Sequence, residues 1–467
     1  MSIMIEQQRG VQWVTPGEGE SATAAITRTL AAVADLPSRV IGIGPDGPDD
    51  DGTWIVDETI RVPSHTTLLL NGARIVASSD MRGWLLRNEA SFEPSGRDDM
   101  ISVIGDGRSS LDGVAIHGHG KGGGGVLMQG VNGLWLQGFR IGQTAGWGLR
   151  AEDLADAHIR DINFFQTGGH PWQDGVHIVG PAERVVINGI TGEFGDDVIA
   201  IDSALTHDRP GGPVRGVEVS NVTARNIHGA AIVRTIAAKG RPVEGVHISN
   251  LTLVNTPGKG SDAAIKIGWD GGKQIRDDWE WPTANEHKDI TIENVQIVDW
   301  KGPVVCVYHP VRNLALRNIT ATHRGPFFFN LEHDVVGLTM ERIRSNLIAE
   351  SMRELDTKFL GSLVNGDVYR LGGEYGKAFV DTHLGAITFN QAVCSNVRLR
   401  DVELNYTGGN ADQQWPAALR LSCGVTAKDI RLEDVRCNGY ARTTWLDDDA
   451  TIQPADDDVI ELPTSKG

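Results

Sequence analysis

A six-residue pattern recurs along the chain: apolar, any, apolar, any, then Asn, Asp or Gly, then apolar. It appears as LWLQGF from Leu134, AHIRDI from Ala157, VVINGI from Val185, VEVSNV from Val217 and VHISNL from Val246. It returns as ITIENV from Ile290, LALRNI from Leu314, LTMERI from Leu338 (with Arg342 at the turn position), VRLRDV from Val397 and IRLEDV from Ile430. The alternation predicts short strands with one buried face. Asn, Asp and Gly tolerate the left-handed backbone that turns a chain. A second apolar run follows in most units, such as DVIAID from Asp197 and AAIVR from Ala230. The shortest spacings are roughly 23–24 residues, in the range of solenoids. Strand, turn and strand, repeated in this way, predict an all-β solenoid: a single right-handed parallel β-helix. A β-propeller would need longer four-strand repeats and a Trp-Asp or Gly-Gly signature, which the chain does not show.

The first part predicts a cap. GESATAAITRTLAAVADL has the pattern of an amphipathic helix, with Ser21 or Thr23 as N-cap. RVIGIGPDG and the run from Thr53 to Ser78 follow as first strands. A capping helix is expected because a solenoid end is an open strand edge. The expected boundaries are residues 1–60 for the cap and first strands, 61–445 for the β-helix catalytic domain and 446–467 for an acidic, loosely held tail. Insertions at 204–213, 269–287, 346–392 and 408–416 are expected as loops on the rim of a groove.

Composition narrows the function. The chain has 467 residues and a net charge of −18, which argues against nucleic acid and anionic membranes as partners. A polyanionic sugar would be repelled at long range, so uronate binding would need local cations. The N-terminus shows neither a basic region followed by an apolar run nor a stretch long enough to span a bilayer, so a cytoplasmic location is expected. Cys306, Cys394, Cys423 and Cys437 have no metal-like spacing and are expected as buried small hydrophobes, with a disulfide as the lesser alternative. The sequence implies no cofactor. It leaves oligomeric state open between monomer and trimer.

The chemistry concentrates in consecutive coils. HPWQDGVHI holds Asp174, GEFGDDVIAI holds Asp196 and Asp197, NIHGAAIVR holds His228 and Arg234, and GSDAAIKI holds Lys266. Asp174, the Asp196–Asp197 pair, His228 and Lys266 each sit just before or within an apolar strand. Stacked coils would therefore gather Asp174, Asp196, Asp197, His228 and Lys266 in one column about 4.8 Å per step. Three close carboxyls cannot all ionise cheaply, so one should hold its proton near neutral pH while its neighbours stay charged. Glycoside cleavage needs that pairing: a protonated carboxyl at the leaving oxygen and a carboxylate for water or direct attack. An acidic pair alone is more often a solvated turn, as at Asp277-Asp278; what distinguishes Asp196-Asp197 is Asp174 one coil before and His228 one coil after.

The order of these motifs resembles glycoside hydrolase family 28, the polygalacturonase and rhamnogalacturonase group of right-handed parallel β-helices. That family runs Asn-Thr-Asp, Gly-Asp-Asp, Gly-His-Gly, Arg-Ile-Lys. This chain has Trp-Gln-Asp at 172–174, Gly-Asp-Asp at 195–197, Ile-His-Gly at 227–229 and Ala-Ile-Lys at 264–266. The likeness spans roughly residues 10–340. It implies an inverting hydrolase with Asp196 as general acid, Asp174 and Asp197 positioning and deprotonating water, His228 tuning the acid and Lys266 on a substrate group. Inversion calls for carboxyls about 6.5–9.5 Å apart. The family's Asn and Arg are replaced by Trp172 and Ala264, which weakens the case for galacturonate and opens a neutral sugar; Arg234 or Lys239 are the cations that could substitute.

The remaining candidates are lesser. His177 alternates with Val176 and Ile178 and is expected to face the groove as a substrate contact. Trp172 and Trp269, with Trp279 and Trp281, lie in or beside rim loops where an indole could carry a sugar ring, or pack under its own loop. His117 and His119 sit in a glycine run that reads as tight turns rather than a metal site, and His170 flanks Asp174. The expected function is a glycoside hydrolase of polygalacturonase-like type, exo-acting on short oligosaccharides. Its rivals are a β-helix lyase, epimerase or fructan transferase, with the aspartates as calcium ligands in the lyase case, and a non-catalytic glycan binder of the tailspike kind.

Overall fold

The computed structural model describes residues 10–49, 51–113, 123–167, 172–204, 210–227, 231–254, 263–268, 282, 285–324, 327–348, 385–390, 392–407, 417–421, 425–440, 444–446 and 451–453. Contacts group the chain into two compact units: Met1–Ala200 with Leu205–Thr223, and Ile201–Ala204 with Ala224–Gly467. Both are built from parallel β-coils, and the cores of both are stacked aliphatic side chains. Among the described residues, no helix is long and apolar enough to cross a membrane.

The first unit opens with the strand Gln12–Trp13, which pairs with Ile41–Gly42. The Trp13 ring fills the space a side chain at Gly42 would need. The helix Ala22–Ala32 follows. Ser21 caps it, its Oγ accepting from the Ala24 N–H at 3.2 Å. Thr23 does not cap; its hydroxyl is within 2.5 Å of Asp57 Oδ1 and ties the helix to the first coils. Ala22, Ala25 and Ile26 form the buried stripe.

The recurring pattern becomes a register. Ile101, Leu134, Ala157, Val185 and Val217 pair one above another, each at most 1 % exposed. Strand Leu149–Arg160 crosses a corner at the left-handed Asp153 and Asp156, then turns again at Asp161 into Asn163–Phe165. Each motif strand is thus bracketed by two left-handed residues. The sequence pattern showed the second of each pair. The first, directly before the motif, is Gly133, Asp156, Arg184 or Gly216.

The second unit repeats the scheme. Val246, Ile290, Leu314, Leu338, Val397 and Ile430 stack in register. Corner asparagines at left-handed positions form a ladder: Asn294 Nδ2 donates to Asn250 Oδ1 at 3.2 Å and Asn318 Nδ2 to Asn294 Oδ1 at 2.8 Å. Arg342 holds the left-handed turn despite its side chain, at φ +54°. The ladder extends past residue 445, since Thr451–Gln453 pairs with Thr426–Lys428. His287, expected inside an insertion, instead begins the strand His287–Trp300. Most of the insertions expected on the rim lie outside the described residues. Cys306 and Cys394 are buried and Cys437 is half-buried; burial pushes Cys394 up to about 12 and Cys437 to about 11, which makes these two poor nucleophiles. Cys423 lies outside the described residues.

Candidate active site

The acidic cluster sits in the first unit, at the corners leading into the strands Val176–Asn188 and Ile199–Asp202. The backbone sets its geometry. The Gly148 N–H donates to the Asp174 carbonyl at 2.9 Å, and the Gly175 N–H donates to the Asp197 carbonyl at 2.8 Å. Trp147, Asp174 and Asp197 therefore hold the same position in three successive coils. The Asp196 N–H donates to the Gln173 carbonyl at 3.0 Å, which places Asp196 one position earlier, on the coil after Gln173. Gln173 is in turn fixed by its amide, which donates to the Thr144 carbonyl at 2.5 Å.

Two glycines allow this packing. A Cβ on Gly195 would lie 2.3 Å from Gln173 Oε1, and one on Gly175 would lie 2.6 Å from the Val198 carbonyl oxygen. The glycine of Gly-Asp-Asp is thus required by close approach between neighbouring coils.

Asp174, Asp196 and Asp197 each offer a carboxylate oxygen, and these atoms all lie within 4.8 Å of one another. Asp174 and Asp197 are 1 % exposed, while Asp196 is half-buried. At an effective dielectric of about 20, two charges at that distance repel by roughly 3 kcal/mol. The set is therefore stabilised by taking up a proton or a cation, the property that acid catalysis and metal binding share. Asp196 Oδ2 accepts from the backbone N–H of Trp172 at 2.7 Å, and Trp172 reaches that position through a left-handed φ of +90°.

An aromatic and basic wall adjoins the acids. The column of Trp147, Asp174 and Asp197 runs back through Gly124 to Trp84. Because Gly124 has no side chain, Trp84 and Trp147 stack across it with centroids 6.1 Å apart and planes 11° from parallel. Trp172 meets Trp147 edge-on at 5.5 Å. Arg150 lies over the Trp147 ring at 4.4 Å and is ion-paired with the buried Glu152, whose other oxygen accepts from Gln129 at 2.8 Å. His177 is opposite Arg150 in the strand register.

The structure gathers Asp174, Asp196 and Asp197 at one corner and sets the half-buried Trp172 beside them, its backbone N–H on Asp196. His177 is 1 % exposed, and its Nδ1 is 2.6 Å from Asp174 Oδ2, so it stands behind an acid rather than at an open groove. Arg234 and Lys266 belong to the second unit, where they pair in register, both buried, with Lys266 Nζ 5.8 Å from the Tyr308 ring centroid. His228 and Trp269 lie outside the described residues, as do His117, His119, His170, Trp279 and Trp281. The sequence reading missed Trp84, Trp147, Arg150 and Glu152. A signal was present: Arg150 and Glu152 alternate with apolar residues in LRAED, one coil before His177.

No family model matches the chain, and no curated protein matches it in sequence. Solved structures do. A family 28 exopolygalacturonase of Yersinia enterocolitica matches 94 % of this chain over 78 % of its own, with a TM-score of 0.53 at 14 % identity. The tailspike protein of E. coli bacteriophage HK620, in complex with a pentasaccharide, matches the same shares with a TM-score of 0.58 at 10 % identity. At these identities the likeness shows the fold: a right-handed parallel β-helix, as the repeat and the motif resemblance led us to expect.

Proposed function

We propose that the chain is a glycoside hydrolase acting on an oligo- or polysaccharide. The observation that carries this reading is the approach of Asp174, Asp196 and Asp197 to within 4.8 Å at one corner of the coil. Asp196, the most exposed of the three, gives its proton to the leaving oxygen as the glycosidic bond breaks. Asp174 and Asp197 hold a water and take its proton as it adds to the anomeric carbon. The motif order alone assigns His228 to tuning the acid and Lys266 to a substrate group. Two matched β-helices, one an exopolygalacturonase and one carrying a pentasaccharide, support a carbohydrate substrate. Exo action on short chains fits the near-complete burial of Asp174 and Asp197.

The test is a screen against defined oligosaccharides, both oligogalacturonides and neutral α-glucans, with products followed by NMR. Hydrolysis that is lost in Asp196→Asn supports the proposal. Tight binding without turnover on any substrate would replace it with a glycan-binding β-helix.

The cluster's compactness favours a second reading, a calcium-dependent lyase. Calcium–oxygen bonds of about 2.3–2.6 Å let two ligands of one ion lie up to about 5 Å apart, and the three aspartates meet that limit. Activity abolished by a chelator and restored by calcium, with an unsaturated product absorbing in the ultraviolet, would establish it.

A further inference from the structure

We propose that His177 is a positioning residue for Asp174, an inference that rests on the hydrolase reading above. The two side chains form a buried dyad, 1 % and 2 % exposed, with Nδ1 and Oδ2 2.6 Å apart. The ring is held in place from its neighbours. Trp147 presents an edge contact at 6.1 Å and 73°, and Arg150 stands opposite it in register. A ring fixed in this way presents one nitrogen to one carboxylate oxygen.

Two consequences follow for Asp174. A donor on Oδ2 fixes the plane of a carboxylate that would otherwise rotate, and a hydrogen bond to the charged form favours ionisation. A carboxylate held in one orientation suits a group that must orient water and accept its proton. With its proton on Nδ1, the ring donates to Asp174 Oδ2. His177 forms and breaks no bond to substrate. The same logic explains why a histidine stands between Val176 and Ile178.

The experiment compares His177→Ala, His177→Asn and His177→Gln on whichever oligogalacturonide or neutral α-glucan the unaltered protein hydrolyses fastest. Asn places its amide nitrogen near the Nδ1 position; Gln places it near Nε2. The expected result is a kcat about 100-fold lower in His177→Ala with KM within threefold, most of it recovered in His177→Asn and little in His177→Gln. Thermal melts show which variants are folded. An unchanged kcat in His177→Ala overturns the proposal, as does a loss carried by KM, which would make His177 a substrate contact. Nitrogen-15 NMR of the ring reads the dyad without turnover: a protonated Nδ1 that responds to Asp174→Asn supports it, and an unprotonated Nδ1 overturns it. Absence of hydrolysis on every sugar, with the NMR signature intact, would instead sink the hydrolase reading and leave the dyad standing as structure only.

Discussion

Asp174 and Asp197 occupy one position on two adjacent coils, locked there by the Gly175 N–H donating to the Asp197 carbonyl at 2.8 Å. The same column holds Trp84 and Trp147 on earlier coils. A solenoid favours like on like: aliphatic over aliphatic, Asn over Asn. Two carboxylates one rung apart are also like on like, but they repel where the other stacks attract, and such a local conflict is the kind a protein keeps for chemistry at a cost in stability.

Asp197→Asn should therefore separate stability from activity. The substitution keeps shape and removes one of the carboxylate charges crowded at that corner. Turnover should fall by about a thousandfold or more while the melting temperature stays level or rises by a few degrees. Parallel hydrolysis assays and thermal melts check this. A variant that keeps its activity would remove Asp197 from the mechanism.

Gly195→Ala should damage the site through packing alone. The new methyl would meet Gln173 Oε1 and Cβ at 2.3 and 2.6 Å. Gln173 anchors to the Thr144 carbonyl and accepts the Asp196 N–H, so its displacement moves Asp196. We expect a loss of about 1–3 kcal/mol in stability and about a hundredfold in kcat, because small misplacements of a catalytic group are costly. Denaturant titration and steady-state kinetics read the two effects separately.

Much of the fold was legible because a solenoid writes its register into its sequence. The ten motif strands found by pattern are those that pair, and the Asn, Asp or Gly after each is the residue at positive φ. Arg342 was recognisable as an exception only because its neighbours set the frame. The left-handed residue before each motif was harder to see, since Arg184 fills it without the expected chemistry. The acids were legible from spacing. Their wall was not: Trp84 and Trp147 meet only because Gly124 lies between them on the intervening coil, a relation that sequence distance hides. His177 showed its strand but not its partner, because alternation says which face a residue takes and nothing about what covers that face.

Gly124→Ala tests that hidden relation. A Cβ there would lie 2.5 Å from the Trp84 ring and 2.3 Å from the Trp147 carbonyl oxygen. The stacked indoles should be forced apart, with a loss of about 1–3 kcal/mol in stability and a weakened near-ultraviolet circular dichroism signal. An unchanged spectrum would show that the pair is not stacked in solution.

The second unit should be sensitive to acid through His287. Burial holds this imidazole down to about 3, and among the described residues its Nδ1 has no hydrogen-bond partner to receive a second proton's charge. The nearby His309 is also held well below the ordinary histidine range by burial, with its ring centroid 5.3 Å away. The unfolded chain binds these protons near pH 6.5 and the folded chain does not. Stability is thus fully present above about pH 6.5 and declines as pH falls towards 3, by up to a few kcal/mol for His287, with His309 acting in the same direction. Urea midpoints between pH 7.5 and 4.5 should fall in the unaltered protein and fall less in His287→Gln. Equal slopes in the two would show that the ring titrates normally.

Product stereochemistry is the sharpest test of the roles given to the acids. Carboxyl pairs in inverting enzymes usually stand about 6.5–9.5 Å apart and retaining pairs about 5–5.5 Å. The nearest oxygens here lie within 4.8 Å, tighter than the motif resemblance led us to expect and closer to the spacing of a direct-attack pair. Three acids change that inference. One water donating two hydrogen bonds of about 2.7 Å can bridge oxygens up to about 5 Å apart, so Asp174 and Asp197 can clasp a water between them while Asp196 serves as acid. The expected first product therefore has the opposite anomeric configuration to the substrate, seen by proton NMR before mutarotation sets in. Retention would mean that a carboxylate attacks the sugar itself, and trapping a glycosyl-enzyme on Asp174 or Asp197 would then identify which one.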